Sequence, residues 1–122
     1  MRELIRRHRI SFANAFAGLV WAIRTQPNFR IHFFLSAFAL FLAYFYSITR
    51  MEMIVIVFTI VLGLAGEMVN TSLEAMTDLI TSEWRKEAKI AKDVAAGMML
   101  LIAIGSVIIA FLIFGPRITG SV

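Results

Sequence analysis

The sequence predicts an all-α membrane protein: an N-terminal amphipathic helix lying in the interface, followed by three transmembrane helices. Three observations lead there. The 122-residue chain is 60% hydrophobic and only 16% charged, with a mean hydropathy of +0.83. A water-soluble chain this short has too little interior to enclose that much apolar surface. Long uncharged stretches recur along it, and its basic residues gather on one side of them. With no cysteine, disulfides and thiolate-bound metals are excluded. No repeat, linker or second composition is visible, so residues 1–122 read as a single membrane domain.

Residues 1–26 are the interfacial helix. Ile5, Phe12, Phe16, Leu19 and Ile23 share one helical face, and Arg7, Ser11, Asn14 and Gly18 lie opposite. Such a helix lies along a bilayer surface with its apolar face in the headgroup boundary. Arginines precede no signal-peptide core or small-residue cleavage site, so a cleaved leader does not fit. Pro27 ends or kinks this helix. Residues 31–49 form the first span, carrying no Asp, Glu, Lys or Arg and one histidine, His32, read as an interface or packing histidine. The second span needs residues 53–73 to reach the ~30 Å of hydrocarbon, and that places Glu67 inside it. Residues 94–116 are uncharged and form the third.

Orientation follows from arginine and lysine. Arg2, Arg6, Arg7, Arg9, Arg24 and Arg30 precede the first span, and Arg85, Lys86, Lys89 and Lys92 fall in the 78–93 connection. Only Arg50 and Arg117 lie on the other side, which predicts a multi-pass protein of the cytoplasmic membrane. Its N-terminus, the 78–93 connection and any chemistry are then cytoplasmic. The net charge of +4 matches an anionic leaflet and calls for no nucleic acid.

The chemical signal is on the second span. Glu67, Asn70, Glu74 and Asp78 are three, four and four residues apart. On a helix they fall within about 80° of arc and extend about 16 Å, a column descending from water into the bilayer. Lys89, Lys92 and Asp93 lie within about 100° of one another on the next helix. A hairpin through Ser82–Arg85 can bring Lys92 and Asp93 to Glu74 and Asp78. Carboxylates beside a lysine suit Mg²⁺ and a polyphosphate. A deeper carboxylate, Glu67, suits accepting a proton from a lipid hydroxyl. Gly63, Gly66, Ala95, Ala96 and Gly97 offer smooth faces for close helix approach. Three spans scarcely shield such a column from lipid, so a closed homo-oligomer is expected. Two other readings use the same residues: an ion-coupled transporter working through Glu67, and a non-catalytic assembly subunit in which polar side chains merely bond helices.

From about Arg7 to Arg117 the chain resembles the small prokaryotic membrane lipid kinases, the diacylglycerol and undecaprenol kinase family. The resemblance rests on Asn28-Phe29-Arg30-Ile31-His32, on Glu67-Met68-Val69-Asn70-Thr71-Ser72-Leu73-Glu74 with Asp78 following, and on Ala88-Lys89-Ile90-Ala91-Lys92-Asp93-Val94-Ala95-Ala96-Gly97. It implies a homotrimer with composite sites between subunits, ATP with Mg²⁺, and a lipid alcohol, undecaprenol or diacylglycerol, as acceptor. It further implies Glu67 as the base, Glu74 on the nucleotide's Mg²⁺, and Arg7, Asn70, Asp78, Lys92 and Asp93 near ATP. The second metal-ligand position, usually glutamate, is Gln26 here; its amide adds no charge, and Glu3 is a remote substitute. Asn28 through His32 stands nearer the undecaprenol kinase branch.

Overall fold

A computed structural model describes residues 1–120, the side chains of residues 2–4 excepted, so Glu3 lies outside what is described. The described chain is four helices in sequence: α1 (Arg2–Thr25), α2 (Pro27–Phe45), α3 (Arg50–Ile80) and α4 (Lys86–Ile118). The last three are each long and apolar enough to cross a membrane.

The breaks have local causes. Gln26 is extended (φ −99°, ψ 109°), and Pro27 opens α2 in its first turn, where a missing N–H costs nothing. Proline thus starts the first span, four residues before the uncharged stretch that marks it in the sequence. Between α2 and α3 the chain turns within a few residues, with Ser47 in the left-handed region (φ 48°) and the Ile48 N–H donating to the Ala43 carbonyl at 3.2 Å. A capping box then launches α3. The Glu52 N–H donates to Thr49 Oγ1 at 3.3 Å, and the Thr49 N–H donates to Glu52 Oε2 at 2.8 Å. Arg50, assigned above to the connection, is the first residue of α3.

At that end Arg117 of α4 grips Glu52 with both arms. Nη1 donates to Oε1 and Nη2 to Oε2, each at 2.9 Å, and Nη1 also donates to the Ile113 carbonyl at 2.6 Å. The fork-to-carboxylate match is the strong form of such a pair. Beside it Ala43, Ile56, Ile113 and Phe114 form the buried core, with Tyr46 and Met53 against it. Glu52 thus serves both the cap of α3 and the clamp to Arg117.

α3 packs chiefly against α4, then α2, and α1 meets α2. The tightest point is Gly66. A Cβ there would sit 2.6 Å from Ile102 Cδ1 and 3.3 Å from Met99 Sδ, so a larger residue would require those side chains to shift. At Gly63 the same test meets His32 Nδ1 at 3.9 Å and Ile102 Cγ2 at 4.0 Å, ordinary contact. Within a single copy a Cβ at Gly97 meets nothing within 4 Å. With 31 and 33 residues, α3 and α4 run to about 46 and 50 Å, well beyond the hydrocarbon, whereas the 19 residues of α2 only just cross it.

Candidate active site

The column on α3 forms with graded burial. Glu67 and Asn70 retain only 3% and 5% of their surface, while Glu74 and Asp78, toward the α3–α4 connection, are exposed. Helical spacing puts all four on one face, and α4 and α2 close the deeper half. Asn70 Nδ2 donates to Glu74 Oε1 at 3.1 Å. Among the described residues Asn70 Oδ1 is buried without a hydrogen-bond partner. A buried amide oxygen without a donor is costly, roughly 1–3 kcal/mol, and calls for a water, an ion or a ligand to satisfy it.

The hairpin through Thr81–Arg85 returns α4 alongside, and Lys92 Nζ donates to Asp78 Oδ1. Lys92 therefore meets the column as its spacing suggested. Asp93, next to Lys92 on α4, accepts from Lys89, one turn earlier on the same helix, an i,i+4 pair. Next to this pair a cavity of about 410 Å³ opens beneath the connection, lined by Thr77, Ile80, Thr81, Arg85, Glu87, Ala88 and Ala91.

Residues from the front of the chain lie differently. Gln26 sits half-buried at the α1–α2 break, its Nε2 donating to Thr25 Oγ1 at 3.3 Å, and among the described residues no hydrogen bond joins it to the column. Arg7 is exposed on α1, about 28 Å along the helix from Gln26. That is too far for both side chains of one copy to meet the phosphates of one nucleotide. His32, read from sequence as a packing residue, does pack on α3 at Gly63, and it also lies within electrostatic range of Glu67, as does Glu74. Its proximity to Glu67 needed the α2–α3 register, which no single-helix pattern contains.

Among the described residues no group of three His, Asp or Glu side chains forms a metal cage. The donors present nevertheless fit Mg²⁺, which takes few protein ligands and completes its shell with phosphate and water. Glu74 and the unpartnered Asn70 Oδ1 are hard oxygens on adjacent turns of one face.

Comparison with known proteins agrees with this picture. Residues 13–114 match the prokaryotic diacylglycerol kinase family. A diacylglycerol kinase of Synechocystis sp. is 40% identical over 101 residues, 82% of this chain and 58% of that protein, so the chain spans under two thirds of that relative. An undecaprenol kinase of Bacillus subtilis is 34% identical over 118 residues, 96% of this chain and 95% of its own length.

Proposed function

The chain belongs to the prokaryotic diacylglycerol kinase family of membrane lipid kinases, and from that premise we propose that it transfers the γ-phosphoryl of ATP to the primary hydroxyl of a membrane lipid alcohol. Undecaprenol is the preferred acceptor and diacylglycerol the second. The match over nearly the whole length of the undecaprenol kinase supports that order. The observation that carries the reading is the column itself: a buried carboxylate, an amide with a free oxygen, and outward acids with Lys92 beside them.

In this reading Glu67 is the base. Its depth lets a hydroxyl reach it from the leaflet while the chain of the lipid stays in hydrocarbon. The acceptor proton passes to the Glu67 carboxylate as the acceptor oxygen bonds the γ-phosphorus. The bond from that phosphorus to the bridging oxygen breaks, and ADP leaves. Lys92 lies where it can exchange Asp78 for phosphate oxygens, a charge-stabilising role that needs no covalent chemistry. Glu74 and Asn70 would hold Mg²⁺, which when bound neutralises phosphate charge. Asp93 keeps Lys89 in place at the rim.

Arg7 and Gln26 contribute only if they come from different copies, given their separation along α1. The reading therefore takes the assembly to be a homotrimer with sites shared between subunits, the N-termini and the sites facing the cytoplasm. The test is ATP-dependent phosphorylation of undecaprenol and diacylglycerol side by side in detergent. Glu67→Gln is expected to abolish transfer with fold and oligomer intact, and full turnover in that variant removes Glu67 as base. A transporter or assembly subunit would show no phosphorylated lipid from the unaltered protein.

A further inference from the structure

α3 and α4 run antiparallel in a register fixed at two points. Ile102 lies against Gly66, and Lys92 donates to Asp78 about 18 Å further out along α3. Each position on α4 is thereby set against a level of the acidic column. Lys89 lies three residues before Lys92, about 4.5 Å nearer the connection and about 60° round the helix, on the same face. Its ammonium does not stay at that level. Donating to Asp93, four residues on, draws it back down α4 toward the column. Two ammonium groups thus stand at the rim, each held by one acid.

Charge calls for both. In the proposed reaction the phosphates lie beside Glu74 and Asp78, with Glu67 below, and Mg²⁺ and Lys92 alone leave an excess of negative charge there. The other cations of this end lie elsewhere. Arg85 is on the connection, 3.5 Å from Glu83 and lining the cavity. Lys86 is about 120° round α4 from Lys92. Lys89 and Asp93 are both exposed, and an exposed pair of this kind contributes little, so exchanging Asp93 for a phosphate oxygen costs little.

Position selects the phosphate. With its γ-phosphorus at Glu67, a triphosphate is shorter than the column of about 16 Å, so the nucleoside stands at the rim and the α-phosphate just inside it. Lys92, the deeper lysine, reaches the inner phosphates. Lys89, coming from a turn further out, meets the α-phosphate first.

We propose that Lys89 is a second phosphate-binding residue, taking the α-phosphate of the nucleotide while Lys92 takes the phosphates deeper in the column. This deepens the kinase reading and rests on it. No bond to the α-phosphorus changes during transfer, so the contact is the same before and during the reaction. Such a contact adds affinity without speeding the chemical step.

The experiment compares unaltered protein with Lys89→Met, Lys89→Gln, Lys89→Arg and Lys86→Met, measuring melting temperature, kcat and KM for ATP on undecaprenol, and inhibition by ADP, which keeps the α-phosphate. In Lys89→Met and Lys89→Gln the KM for ATP and the inhibition constant of ADP are expected to rise together by about tenfold, the loss of one charge-assisted hydrogen bond, with kcat unchanged. Lys89→Arg should restore most of that affinity, and Lys86→Met should leave both constants where they are. An unchanged KM in the two neutral variants overturns the proposal. So does an equal rise in Lys86→Met, which reports only lost surface charge, and so does a fall in kcat at unchanged KM. Weakened ATP with ADP inhibition untouched overturns the assignment to the α-phosphate. Failure of the kinase reading shows separately, as no lipid phosphorylation by the unaltered protein.

Discussion

Gly63 and Gly66 invite a paired substitution, because the same change meets different surroundings three residues apart. Alanine in place of glycine within a helix gains about 0.8–1 kcal/mol of backbone preference. At Gly63 the new methyl would lie 3.9 Å from His32 and 4.0 Å from Ile102, so that gain is kept. At Gly66 it would lie 2.6 Å from Ile102 Cδ1 and 3.3 Å from Met99 Sδ. Both atoms are outer parts of side chains that can rotate, so the strain belongs at the usual overpacking cost of about 1–3 kcal/mol. The backbone gain is common to both variants and cancels in their difference. Gly66→Ala should therefore be less stable than Gly63→Ala by about 1–3 kcal/mol. Reversible unfolding in mixed micelles, with denaturing detergent as the variable, measures this directly. Equal stability of the two variants would refute the close α3–α4 approach. Activity adds a second reading, since Gly66 adjoins Glu67 and a displaced α3 carries the carboxylate with it.

Other expectations follow from single contacts. Lys92→Met should reduce phosphoryl transfer by about a hundredfold while changing stability by under about 1 kcal/mol, since the Lys92–Asp78 pair is largely exposed; activity and melting in the same preparation check both. Arg117→Met should lower the melting temperature yet spare kcat, because Glu52 is 15 residues, about 22 Å, along α3 from Glu67. Gln26→Glu should lower the Mg²⁺ concentration needed for half-maximal turnover, read from Mg²⁺ titrations of the two proteins.

Periodicity made much of this legible beforehand. Apolar runs give the spans because the bilayer imposes their length, and a spacing of three, four and four aligns side chains on any α-helix. Lys92 meeting Asp78 was also within reach, because a short hairpin leaves few registers. What escaped were competitions and partners. Asp93 looks the equal of Lys92 in the sequence, yet a lysine four residues earlier takes it. Arg117 counted in the sequence only as one of two basic residues on the far side, and its partner Glu52 lies 65 residues away; Thr49-x-x-Glu52, a cap signature, is the local sign of order there. His32 beside Glu67 depends on which faces of α2 and α3 meet, a fact carried by side-chain volumes at Gly63 and not by hydropathy.

The unequal helix lengths carry one more consequence. Antiparallel packing with His32 opposite Gly63 sets the start of α2 level with about residue 68 of α3, so roughly the last 18 Å of α3 stands clear of α2. Glu74 and Asp78 thus ride on the part of α3 beyond the start of α2, while Glu67 and Asn70 stay at its foot. A molecule anchored by a greasy tail can slide to the foot sideways and leave the same way. A water-borne one must come down from the top. In the proposed reaction the lipid and the nucleotide would therefore approach the column from different directions.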